Sequence, residues 1–183
     1  MPSFGNPDSR LVEGLSFLHS LHVVHMDICP ENLIAANRHH ASVHKTAVEN
    51  SLYIIDFDSS RQFQLGPGLQ RAITLPETQT QPPNGLKHFD PYSWDVYCTG
   101  YTLELIINSR HWRAKTEPHP LIQSYIRWLI GNEQGCTGVC RCRPTACMAL
   151  RVVLVIRWAF SAPKEYAWVV ESLSHVLPTS TRT

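Results

Sequence analysis

Leu11, Leu15, Leu18 and Leu21, with Val12 and Phe17 beside them, recur at the spacing of one helix face. They predict a helix that stops near His22, with Asp8 or Ser9 placed to cap its start. Val23-Val24 follow as a short extended piece, and a proline-containing loop runs from His25 to Asn32. Leu33 to Ala36 is a short apolar run. Leu52-Tyr53-Ile54-Ile55 is the strongest strand signal in the chain, four apolar residues of which two are β-branched. These two runs are expected to pair as a hairpin across a polar, His-rich connection, residues 37–51.

Residues 59–91 hold Gly66, Pro67, Gly68, Pro76, Pro82, Pro83, Gly85 and Pro91, a density of breakers that predicts a long loop without regular elements. A loop of that length inside a domain is usually functional. From Ser93 to Asn108 the apolar positions cover most of a helix circumference, as in a buried helix. Further helices are expected at Pro120–Ile130, Pro144–Trp158 and Lys164–Leu177. The predicted order is helix, loop, hairpin, long irregular loop, then four helices: an α+β chain, mostly α.

Composition narrows the function classes. The 183 residues are 43% hydrophobic and 17% charged, which suits a chain with a packed core, and the formal net charge is +1. That balance gives no field to gather nucleic acid. The polar, turn-rich start from Met1 to Arg10 does not read as a signal peptide. The most apolar run, Ala149 to Phe160, is too short to span a bilayer. No nucleic-acid or membrane partner is expected, and the location expected is intracellular, in the cytoplasm. Four of the six Cys (136, 140, 142 and 147) cluster with the spacing C-x₃-C-x-C-x₄-C, unlike the paired C-x₂-C knuckles of a zinc site. Ordinary reduced thiols are the favoured reading, and a small zinc-binding domain is a remote one. His39, His40 and His44 read as part of a solvated loop.

The chemistry gathers in two loops. His25-Met26-Asp27-Ile28-Cys29-Pro30-Glu31-Asn32 precedes a strand, and the strand Tyr53-Ile54-Ile55 runs into Asp56-Phe57-Asp58. The pair resembles the catalytic half of a eukaryotic protein kinase, whose catalytic loop reads H-R-D-x-x-x-x-N and whose metal motif D-F-G follows a short apolar strand. Two later segments are similar to the same family. Asp90-Pro91-Tyr92-Ser93-Trp94-Asp95 looks like the entry to its buried central helix, and Arg143-Pro144-Thr145-Ala146 with Leu150 looks like the start of a late helix. Alone, each has a plain structural account: Asp-Phe-Asp as a turn, Asp95 as a helix cap, Arg143-Pro144 as a helix entry. Their order and spacing carry the inference, over roughly residues 8 to 155.

The resemblance implies a protein-kinase-like C-lobe over residues 1–160, with a catalytic loop at 25–32, a D-F-G-like motif at 56–58 and an activation-segment-like loop at 59–91. Residues 161–183 would form a C-terminal helix and tail. It further implies that Asp27 accepts or orients a substrate hydroxyl proton, with Asn32 as its catalytic partner. Asp56 and Asn32 would bind the cofactors, holding Mg²⁺ against ATP, since hard Mg²⁺ takes oxygen ligands. Asp95 would cap backbone amides of the catalytic loop, with His25, Phe57 and Arg143 in structural roles.

The departures from the family matter as much. The Gly-rich phosphate loop and the β3 Lys of its small lobe have no counterpart in these residues, so the expectation is a C-lobe with the N-lobe missing. Met26 stands where the family often has a phosphate-pairing Arg. Cys29 stands where Ser/Thr kinases have the Lys that contacts the γ-phosphate, a contact worth several kcal/mol of barrier. Asp58 replaces the motif Gly. The A-P-E position falls either on Leu75-Pro76-Glu77 or, with better distance to Asp95, on Pro82-Pro83-Asn84, where a neutral Asn84 would deprive Arg143 of a counter-charge. The implied function is a Ser/Thr-type ATP-dependent phosphotransferase that is inefficient as this chain alone, with a protein substrate or partner. The alternative is a pseudokinase or interaction module without ATP turnover.

Overall fold

The computed structural model describes residues 6–83, 86–132 and 138–161. Helix α1 (Asn6–Ser20) buries Leu11, Val12, Leu15 and His19. The buried face is therefore rotated from the leucine stripe, leaving Phe17 63% and Leu21 49% exposed. The helix also begins ahead of the expected caps. Ser9 is buried within it and accepts a hydrogen bond from Arg157 Nη1 at 3.1 Å, which ties α1 to the last described helix. Burial against that neighbour, absent from any local pattern, decides which side of α1 faces in.

The expected hairpin is present: β2 (Leu33–Ala35) pairs antiparallel with β3 (Leu52–Ile54), Leu33 opposite Ile54 and Ala35 opposite Leu52. Its connection is not all loop. Helix α2 (Arg38–Val43) forms there because Asn37 Oδ1 accepts the His40 N–H at 2.9 Å while His40 Nδ1 accepts the Asn37 N–H, a reciprocal cap. His39 and His40 thus sit on a short helix.

The breaker-rich stretch also holds more order than expected. β1 (Val23–Val24) pairs with β4 (Arg61–Gln62), and β5 (Ile73–Thr74) pairs with β6 (His88–Phe89), each ladder two residues long. Ladders this short leave no alternation in the sequence to read; neighbouring elements align them.

Helix α3 (Pro91–Ala114) is longer at both ends than its apolar pattern. Asp90 starts it, Oδ1 accepting the N–H groups of Tyr92 (3.0 Å) and Ser93 (3.3 Å), with Pro91 in the first turn where a missing N–H is harmless. From Tyr92 to Gly100 every residue is buried. Farther along, Tyr101 and Leu105 are exposed, so burial all round holds only for the first turns. Helix α4 (Pro120–Ile130) occupies its expected span and is capped by His119, whose Nδ1 accepts the Leu121 N–H. Helix α5 (Ala146–Ser161) starts after Thr145, whose Oγ1 accepts the Met148 N–H. The core joins α1, α3, α4 and α5 through Leu15, Trp94, Leu103, Tyr125, Leu129 and Ile156. Helices make up about half of the described residues, with small strand pairs, an α+β arrangement. The helix expected at 164–177 lies outside the described residues. Among those described, no helix is long and apolar enough to cross a membrane.

Candidate functional site

The loop after β1 folds over the N-terminal end of α3. Asp95, fully buried one turn into that helix, takes the N–H of Met26 on Oδ1 (2.7 Å) and that of His25 on Oδ2 (2.8 Å). His19 on α1 places Nε2 against the same Oδ2 at 3.1 Å. A buried carboxylate is costly unless donors surround it, and here three do so. The loop's carbonyls are held as well. Ser60 Oγ donates to His25 O (3.2 Å), Trp94 Nε1 to Met26 O (2.7 Å) and Thr102 Oγ1 to Ile28 O (3.2 Å).

His25 links this loop to the strand after the hairpin. Its Nε2 meets Ile55 O at 2.9 Å, which requires a proton on Nε2 and leaves Nδ1 to accept the Asp27 N–H at 3.3 Å. The His25 ring also packs edge-on against Phe57, centroids 4.8 Å apart. From the other side the Ile55 N–H donates to Asn32 O at 3.0 Å. Ile55 thus bridges His25 and Asn32, which brings the segment 55–57 against the loop 25–32. Asn32 is buried and donates Nδ2 to Asp27, to its main-chain oxygen at 2.9 Å and to Oδ2 at 3.3 Å.

Asp56 is exposed and adopts φ 62°, a left-handed conformation rare for a residue with a Cβ. The Asp56 carboxylate and Asn32 Oδ1, left over because Asn32 spends its nitrogen on Asp27, are oxygen donors of the type a hard cation takes. Two such ligands are what Mg²⁺ commonly takes from a protein, the rest coming from phosphates and water. Among the described residues no group of three or more His, Cys, Asp or Glu is placed to hold a metal ion. Cys29 is buried, and burial foremost raises its thiol pKa, so it carries no charge toward the loop. Met26 is fully buried in the core at φ 70°.

Arg143 lies apart from this cluster. It is buried, with its guanidinium carbon 5.1 Å from the ring centroids of both Phe89 and Tyr97, and Nε donates to Ile130 O at 2.7 Å. Aromatic faces and a carbonyl thus surround the charge. Glu77 is exposed, and Asn84 lies outside the described residues. Cys140 and Cys147 are free thiols, buried and exposed respectively, Cys142 is half-buried, and Cys136 lies outside the described residues.

Four residues that sequence reasoning passed over complete the loop's support: His19, Ser60, Trp94 and Thr102. His19 had a usable signal, since it continues the Leu11–Leu15 face by four residues. The others are set by long-range packing.

No family model matches the chain. Among curated proteins it is similar to the serine/threonine-protein kinase hal4 of Schizosaccharomyces pombe, 27% identical over 154 residues, which is 74% of this chain and 21% of that protein. It is also similar to the serine/threonine-protein kinase STK11 of Gallus gallus, 32% identical over 95 residues, 51% of this chain and 20% of that protein. The chain spans about a fifth of the length of these relatives. These partial similarities support a kinase-like relationship.

Proposed function

We propose that this chain is the catalytic-loop lobe of a Ser/Thr-type protein kinase, serving ATP-dependent phosphoryl transfer to a protein hydroxyl once a nucleotide-gripping lobe is supplied. The observation that supports this most is the double anchorage of the loop 25–32, held by Asp95 from below and through Ile55 to the segment carrying Asp56. Such fixed positioning is what phosphoryl transfer asks of a protein, because catalysis there is mostly orientation and electrostatics. In this reading Asp27 accepts or orients the substrate hydroxyl proton, and Asn32 holds Asp27 in place. Asp56 and Asn32 hold Mg²⁺, while His25, Phe57, Asp95 and Arg143 maintain the framework. Mg²⁺ bound with ATP would neutralise charge on the β- and γ-phosphates.

One observation favours a second reading, a pseudokinase or interaction module. The buried, uncharged Cys29 supplies no cation where Ser/Thr kinases place a Lys, and these residues include no Gly-rich phosphate loop. The same experiment separates the two. With millimolar ATP and MgCl₂ the melting temperature of the purified chain should rise, as linkage requires of a ligand that binds only the folded state. Asp56→Asn should abolish the rise. A rise abolished by Asp56→Asn would remove the module reading; an unchanged melting temperature for the wild type would show that the residues present do not hold nucleotide by themselves, which favours the module.

A further inference from the structure

Helix α5 is apolar on two sides. Ala149, Val153 and Ile156 belong to the core, and Arg157 Nη1 ties the helix to Ser9 of α1 at 3.1 Å. On the outer side, positions 148, 151, 155 and 158 fall at the spacing of one helix face, with Leu154 beside them. Met148 is 51%, Val155 45% and Leu154 37% exposed, and Trp158 is exposed on the same side. Arg151 and Arg157 are the only charged residues of this helix. A helix apolar nearly all round is a buried one, so the outer face calls for a cover.

The chain itself supplies a segment that fits. Residues 164–177, where the sequence predicts a helix, carry Tyr166, Val169, Val170, Leu173, Val176 and Leu177 on one stripe. Lys164, Glu171 and His175 fall on the opposite side. Ala162-Pro163 alone separates this segment from Ser161, the end of α5. Proline disfavours helix at the residue before it and suits the first turn of a new one, so the pattern breaks there. A connection that short makes consecutive helices antiparallel neighbours. The lengths agree as well: Met148 to Trp158 covers about 15 Å of helix axis, and Tyr166 to Leu177 would cover about 17 Å.

We propose that residues 164–177 fold back as an amphipathic helix over the outer face of α5, with Val169, Val170 and Leu173 set against Leu154 and Val155. Arg151 is compatible with this cover, because an arginine stem lies along apolar surface while its head reaches water. The inference rests on α5 and this segment alone and holds under either reading of the loop 25–32.

Hydrogen exchange of the full chain, read by mass spectrometry, tests the fold-back. A helix of about fourteen residues is marginal by itself, so protection there reports a packed partner. Amides of residues 166–177 should exchange about tenfold or more below the open-chain rate, and open-chain exchange overturns the proposal. Val155→Asp sets a charge at a position already exposed on α5. It should return residues 166–177 to within about twofold of open-chain exchange while residues 125–129 of α4 stay protected. Leu173→Asp attacks the same contact from the other side and should act alike; protection that survives both changes overturns the docking. Light scattering at two concentrations identifies a different occupant. A mass above that of one chain, with protection that fades on dilution, would put a second copy on α5 and overturn the fold-back.

Discussion

The Asp95 carboxylate accepts the N–H of Met26 at 2.7 Å, and Met26 is a fully buried residue held at φ 70°. A left-handed conformation in a residue with a side chain costs on the order of 1–3 kcal/mol. It persists because Asp95 grips the amide on one side of Met26 and Trp94 Nε1 grips the carbonyl on the other. The shape of the loop 25–32 is therefore stored in α3 rather than in the loop's own sequence.

Asp95→Ala should remove the acceptor for His25, Met26 and His19 together. Loss of about 3–5 kcal/mol of folding stability is expected, the range for breaking a buried charged network. Urea denaturation reads it directly. A midpoint close to wild type would mean that the loop keeps its geometry by other means.

Gly100→Ala should also destabilise, although alanine is the better helix former by about 1 kcal/mol. A Cβ at Gly100 would lie 2.8 Å from Leu129 Cβ and 3.0 Å from the Ile130 backbone nitrogen. Neither is a flexible chain end, so α3 and α4 must move apart, at about 1–3 kcal/mol. Thermal unfolding of the variant decides the sign, and a raised melting temperature would contradict the close crossing.

Burial raises the Asp90 carboxyl pKa above its ordinary value of 3.8, although the N–H groups of Ser93, Cys140 and Tyr92 pull it back. The folded chain then holds this proton more tightly than the unfolded chain. The contribution is most favourable below about pH 4 and is lost as pH rises through the folded value. Asp90→Asn keeps an acceptor for the helix cap and cannot titrate. Wild-type stability relative to this variant should accordingly fall as pH rises from about 3 to 6. An increase over that range would show that the hydrogen bonds outweigh burial.

Much of this arrangement was legible beforehand, for identifiable reasons. The β2–β3 hairpin was readable because β-branched residues cluster in Leu52–Ile55, and α4 because its proline entry and apolar face are both local. His25, Asp27, Asn32 and Asp56 stood out by order and spacing, and the structure brings 25–32 against 55–57 through Ile55. The strand pairs at 61–62, 73–74 and 88–89 were missed because two residues carry no period. The cap at Ser9 was misplaced because Arg157, far along the chain, draws that hydroxyl inward.

From the sequence alone come the residue types able to do the chemistry, the segments that carry them and the helices that frame them, since these rest on side-chain identity and short-range periodicity. What waited for the tertiary structure was who holds whom. Asp95 on the loop and Ile55 between His25 and Asn32 are contacts across tens of residues. Their strength comes from pairing polar groups in a low-dielectric interior, an environment that exists only once the chain has closed on itself.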